Sequence, residues 1–174
     1  MGIYYYSHAL TEDQAKKEAH FVAEQLKGYS LELPVYMDIE EKKQVELMDR
    51  DSQEFKAVIA AGMAELEGAG YFAGVYCNKG LENNIARKSF IDSISKAYNC
   101  WLTSPSTYNV AVEFEKFKQE NYSISTMPTD NIAMYQYCQR GQAAGIQGEV
   151  DLNYASQSLV KTIEEKGYSK VKIN

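Results

Sequence analysis

Cysteine, histidine, proline and tryptophan are all scarce in this 174-residue chain, and each scarcity removes a class of protein. The three cysteines, Cys77, Cys100 and Cys138, are far apart and odd in number, with no Cys-x-x-Cys or Cys/His ligand spacing. That pattern encodes neither a disulfide framework nor a zinc site, and reduced core thiols are expected. His8 and His20 are the only histidines, and neither lies beside a cluster of acids in sequence, which argues against a zinc hydrolase. No Pro/Gly/Ser-rich linker, internal repeat or low-complexity segment divides the chain. No run is long and apolar enough to span a membrane. The opening "MGIYYYSHAL" has neither a basic region nor an apolar region of the kind a signal peptide carries, and Tyr6 stands where a myristoylation motif needs Ser or Thr. Positive charge is in deficit. The formal net charge of -6 offers no basic stripe to displace counterions from phosphates, so a nucleic-acid partner is not expected.

What remains has the composition of a single globular domain. The chain is long enough to bury a sizeable core, and its 45% hydrophobic and 24% charged content is ordinary. Tyrosine is the exception, with 14 residues, many of them beside candidate strand ends. A tyrosine joins a flat apolar face to a hydroxyl, which suits sugar rings and equally suits half-buried strands.

Strand-like and helix-like segments alternate along the chain. Gly2 to Tyr6 reads as a strand. "TEDQ" reads as a capping box, in which Thr11 caps and Gln14 reaches back. Ala15, Ala19, Val22 and Leu26 then recur at helical spacing, and Gly28 closes the helix. "LPVYMD" is the next strand, followed by a helix with Phe55, Ile59, Met63 and Leu66 on one face. "YFAGVYCN" is a strand, Leu81 to Ala97 a helix, "NCWLT" a strand, and Val110 to Gln119 a helix. "IAMYQYC" and "VDLN" are the last strands, and a polar tail over 158–174 follows a domain spanning 1–157. Strands separated by helices imply parallel βαβ units, whose functional groups gather at the strands' carboxyl ends. Asp38, Glu40, Asn78, Ser104, Gln136, Asp151 and Asn153 all fall at or near such ends, which suggests one shared site.

The most informative stretch is "VYMDIEE". Side chains alternate faces along a strand, so Asp38 and Glu40 project together while Ile39 packs behind them. Two carboxylates held close cannot both ionise freely, which leaves a proton donor beside an anion. Glycosidic cleavage needs that pair. A solvated acidic loop and a magnesium site fit the same residues.

The segments "GIYYYSHA", "LPVYMDIEE", "GYFAGVYCN", "CWL" and "MYQYCQRGQAAGIQGEVDLN", in this order, resemble the family 25 glycoside hydrolases, which are lysozymes (N-acetylmuramidases) of phages, bacteria and some fungi. The resemblance runs to about Tyr154. It implies an irregular, TIM-like β/α barrel that cleaves the β-1,4 bond after N-acetylmuramic acid in peptidoglycan glycan strands, with no cofactor and no metal. It also implies an enzyme acting on the bacterial cell wall. By the same resemblance Glu40 is the general acid, Asp38 its partner carboxylate and Asp151 a late active-site aspartate. Tyr4, Tyr6, Tyr76, Trp101 and Gln136 line the sugar groove. Three features depart from the family pattern. Tyr135 stands where Trp is common, and Ser104-Pro105 replaces an Ala-x-aromatic run. The family's first two strand units, with its earliest active-site aspartate, have no counterpart before "GIYYYSHA". An N-terminally incomplete barrel is therefore expected, with an exposed first strand, association into a homodimer through that edge and weak activity. Two alternatives stand beside the hydrolase: a saccharide-binding or assembly module without catalysis, and a hydrolase using Asp38, Glu40 and Asp151 to hold a hard cation.

Overall fold

A computed structural model describes residues 1–78, 84–103, 132–155 and 157–168. Six strands form one sheet in chain order: β1 (Ile3–Tyr6), β2 (Val35–Asp38), β3 (Ala73–Asn78), β4 (Asn99–Thr103), β5 (Ile132–Gly141) and β6 (Val150–Ala155). The first five are parallel, and the sheet curls into a half-barrel. Between them run α1 (Glu12–Gln25), α2 (Lys42–Met48), α3 (Gln53–Gly68) and α4 (Ile85–Ala97), and α5 (Gln157–Glu165) follows β6.

Strand alternation sorts the side chains onto two faces. Ile3 and Tyr5, Val35 and Met37, Val75 and Cys77, and Cys100 and Leu102 face the helical layer and join one core with Ala15, Phe55, Ile59, Met63 and Phe90. Fully burying an aliphatic or aromatic side chain of this kind contributes about 1.5–3 kcal/mol, so this core dominates the stability of the domain. The three cysteines are buried and form no disulfide, as expected of core thiols. The predicted capping box at Thr11 and Gln14 is present, with the Gln14 N–H donating to Thr11 Oγ1 at 3.3 Å.

Three elements differ from the sequence reading. β6 runs antiparallel to β5 rather than extending the parallel series. Residues 142–149 are too few for a crossover, which takes a dozen or more, and Gly145 and Gly148 take positive φ in that turn. The short helix α2 lies in a stretch to which the sequence reading assigned no element. Its sequence "KKQVELM" has two buried positions, Gln44 and Met48, and Gln44 is polar. The stretch read as a polar tail instead forms α5, whose Leu159 and Ile163, four residues apart, are buried against Tyr36, Phe72, Tyr76 and Met134. Ser104 and the helix expected over Val110 to Gln119 lie outside the described residues.

Candidate active site

The second face of the sheet carries the residues singled out above, and the register aligns them. Tyr6, Asp38, Tyr76, Trp101 and Met134 are successive partners across β1 to β5 and form one lateral row. One step toward the carboxyl ends, Asn78, Thr103, Gln136 and Asn153 form a second row. One step the other way, Tyr4, Tyr36, Gly74 and Asn99 form a third.

Hydrogen bonds and ring contacts tie these rows together. The Tyr76 hydroxyl donates to Gln136 Oε1 at 2.6 Å, and both side chains are buried. Trp101 Nε1–H donates to Asn153 Oδ1 at 3.0 Å. The Trp101 ring meets Tyr76 at 4.7 Å, Tyr36 at 5.2 Å and Tyr4 at 6.0 Å between centroids, all edge-on. Trp101 is therefore held by three rings yet only half-buried, while Tyr4 and Tyr6 are 59% and 46% exposed. Together they make an aromatic floor open to solvent, which suits the flat faces of sugars.

Tyr36 was not among the sequence candidates. It lies two residues before Asp38 and so shares its face, which was the available signal. Its ring crosses Gly74, and its hydroxyl donates to Asn99 Oδ1 on β4 at 2.7 Å. A Cβ at position 74 would come within 2.5 Å of the Tyr36 ring. Gly74→Ala is therefore expected to displace Tyr36 and cost about 1–3 kcal/mol by overpacking. Urea denaturation checks this, and an unchanged midpoint would mean that Tyr36 is free to move aside.

The acids sit at the head of this floor. Asp38 closes β2 and is only 5% exposed, and its Oδ1 has no hydrogen-bond partner among the described residues. Burial, reinforced by the charge of Glu40, pushes its pKa up to about 7. Glu40 is raised as well, by burial first and then by the charge of Asp151, which β6 brings to the site. The Tyr76 phenol is raised by burial and then by Glu40, Asp38 and Asp151, so all three carboxylates act on one hydroxyl. Near neutral pH Asp38 is therefore present as both acid and anion, beside a Glu40 raised in the same direction. All eight sequence candidates, Asp38, Glu40, Asp151, Tyr4, Tyr6, Tyr76, Trp101 and Gln136, thus belong to this face or to the loop that heads it. Among the described residues no three His, Cys, Asp or Glu side chains converge in a way that could hold a metal ion.

The family model described as Glycosyl hydrolases family 25 matches residues 1–146. The chain belongs to this family. No curated protein matches it in sequence. Two solved structures share the fold of this chain at low identity. The glycosyl hydrolase 25 GHIP of Streptococcus pneumoniae, described as a virulence factor participating in host cell invasion, superposes with a TM-score of 0.63 at 17% identity, over 94% of this chain and 63% of that one. The spore cortex lytic enzyme SleM of Clostridium perfringens superposes with a TM-score of 0.58 at 16% identity, over 88% of this chain and 48% of that one. This chain therefore spans less than two thirds of the length of either structure.

Proposed function

We propose that this family 25 chain hydrolyses peptidoglycan, cutting the β-1,4 bond between N-acetylmuramic acid and N-acetylglucosamine at the bacterial cell wall. The observation that carries the proposal is the pair of raised carboxyls, Asp38 and Glu40, at the head of an aromatic floor. Glu40, in its protonated form, gives its proton to the glycosidic oxygen as the bond to the anomeric carbon breaks. Asp38, ionised as pH passes its pKa of about 7, faces the positive charge that develops on that carbon. It does so either directly or by orienting the substrate's own acetamido group. Water then adds to the anomeric carbon, and its proton returns to Glu40. Burial, and after it the charge of Asp151, raise Glu40 and so favour its proton-bearing form, and Tyr4, Tyr6, Tyr76, Trp101 and Gln136 hold the sugars.

The decisive experiment digests purified cell walls, reduces the products with borohydride and identifies the terminal sugar alcohol. Muramicitol is expected. Glucosaminitol would move the cut to the other glycosidic bond, and new amino groups without reducing ends would replace the glycosidase by an amidase. The solvent-open aromatic floor, which needs no acid to hold a sugar, favours a second reading, a saccharide-binding module without catalysis. Binding to cell walls with no new reducing ends would establish it.

The acids act in this scheme as proton donor and charge partner, not as ligands to a cation. Wall clearing is therefore expected to survive dialysis against EDTA. Loss on chelation, with recovery on adding magnesium or calcium, would favour a hard cation held by Asp38, Glu40 and Asp151.

Among the described residues β1 has a strand on one side only, and Tyr4 and Tyr6 on it are exposed. Exposed strand edges invite pairing, and a second copy of the chain is the proposed cover. Light scattering in line with size-exclusion chromatography is expected to give a two-fold dimer. A monodisperse monomer with a cooperative melt would remove this proposal.

A further inference from the structure

The backbone that carries Glu40 is enclosed by a ring of hydrogen bonds. The Ser7 N–H donates to the Asp38 carbonyl at 2.9 Å, just before Glu40. The Ser7 carbonyl in turn accepts from Gln44 Nε2 at 3.1 Å, and the same Nε2 donates to the Ala9 carbonyl at 3.1 Å. Gln44 Oε1 accepts from the Glu41 N–H at 3.2 Å, just after Glu40. The path from residue 38 through 7 and 44 to residue 41 is closed, with Glu40 inside it. The Ile39 N–H is fixed separately, donating to the Tyr76 carbonyl at 3.0 Å.

Gln44 is the keystone of this ring. It is fully buried, as is Ser7, and both ends of its amide are used. The loop it grips is anchored on its far side too. Ser7 Oγ donates to Glu18 Oε2 at 2.7 Å, and the His8 N–H donates to Glu18 Oε1 at 3.1 Å. At the rim, His8 Nδ1 lies 2.9 Å from Glu41 Oε1. Gln44 is the N3 residue of a capping box on α2, which accounts for its bond to the Glu41 N–H, but its Nε2 reaches beyond the helix to the Ser7 and Ala9 carbonyls. Its geometry serves the two loops that flank the acids.

We infer that Gln44 is a positioning residue, which fixes the β2–α2 loop against the β1–α1 loop and so aims the Glu40 carboxyl at the bond to be cut. The inference rests on the hydrolase reading above. A catalytic group misplaced by about 1 Å costs on the order of 100-fold in rate, so the effect belongs in turnover and not in binding.

The test compares the wild-type chain with Gln44→Met, which preserves volume and removes all three bonds. It adds Gln44→Glu, which keeps the acceptor for the Glu41 N–H. Expected are a kcat on soluble glycan fragments reduced about 10- to 100-fold in the Met variant, a KM within about twofold of wild type and an intermediate kcat in the Glu variant. A folded Met variant with wild-type kcat overturns the inference. If the Met variant does not fold, an unchanged kcat in the Glu variant overturns it. A carbon-13 titration of the Glu40 carboxyl, beside Asp38, Glu41, Asp151, Glu18 and His8, separates this inference from the hydrolase reading. A wild-type chain that cleaves no glycan rejects the hydrolase reading. A Glu40 midpoint that moves in the folded Met variant, which adds no charge, supports Gln44 as the residue that sets its position, and a midpoint that stays put there rejects that role.

Discussion

Glu40→Gln is expected to lower cell-wall clearing by about 10²–10⁴-fold, the usual contribution of a general acid. The amide has nearly the shape of the protonated acid but no proton to give. The fold should tolerate the change well. Glu40 is raised by burial and by the charge of Asp151, so its ionised form is disfavoured in the folded chain. Replacing it with a neutral group removes that penalty, and the melting temperature of the variant should equal or exceed that of the wild type. Turbidity loss of purified walls and a thermal melt, taken on the same preparation, check both halves. Wild-type clearing by the variant would take Glu40 out of the donor role, and lost clearing with a collapsed melt would assign it a structural role instead.

The second large effect concerns stability against pH. Asp38 has a pKa of about 7 in the folded chain and 3.8 as its ordinary value. Between those two values the folded state holds a proton that the unfolded state has released. Stability from this group is therefore fully present below about pH 4 and is lost as pH rises through 7. The loss amounts to on the order of 4 kcal/mol at most, a large part of a typical domain's roughly 5–15 kcal/mol. Asp38→Asn removes the titration. Wild type and variant should be nearly equal in urea midpoint at pH 4, and the variant should be the more stable at pH 8, although it loses activity. Because every other titrating group is common to both proteins, the difference between the two curves isolates Asp38. A difference that does not change with pH would mean that the Asp38 carboxyl ionises as freely as in water.

The sequence made the site more legible than the fold around it. Asp38 and Glu40 were visible because a strand's two-residue period puts them on one side, and the register then set Asp38 in line with Tyr6, Tyr76 and Trp101. Strands β1 to β5 and helices α1, α3 and α4 were legible from apolar spacing and from caps such as Thr11. The elements that escaped were those whose stability comes from elsewhere in the molecule. Helix α2 presents a buried glutamine, whose partners are carbonyls distant in sequence. Helix α5 has two deeply buried apolar contacts, Leu159 and Ile163, and their receiving surface on β2, β3 and β5 is invisible until the sheet is assembled. The reversal of β6 depended on the length of a connection, and a parallel expectation overlooked it. Tyr36 escaped because it looks like any strand tyrosine until Gly74 is seen beneath its ring.

The order of strands in the sheet is also their order in the chain. A polypeptide emerging from the ribosome can therefore add each strand beside the one just made, without waiting for a distant partner. Domains form largely during synthesis, N-terminal parts first, and this topology lets the sheet grow in the direction of translation. Asp38 and Glu40, on β2 and its loop, are laid down before the strands that flank them on the carboxyl-terminal side. Gln136, Asp151, Asn153 and the α5 contacts beneath Tyr36 arrive last. The acids are thus made before the residues that complete the groove, and under the proposed function hydrolytic competence would arrive only with the β5–β6 hairpin.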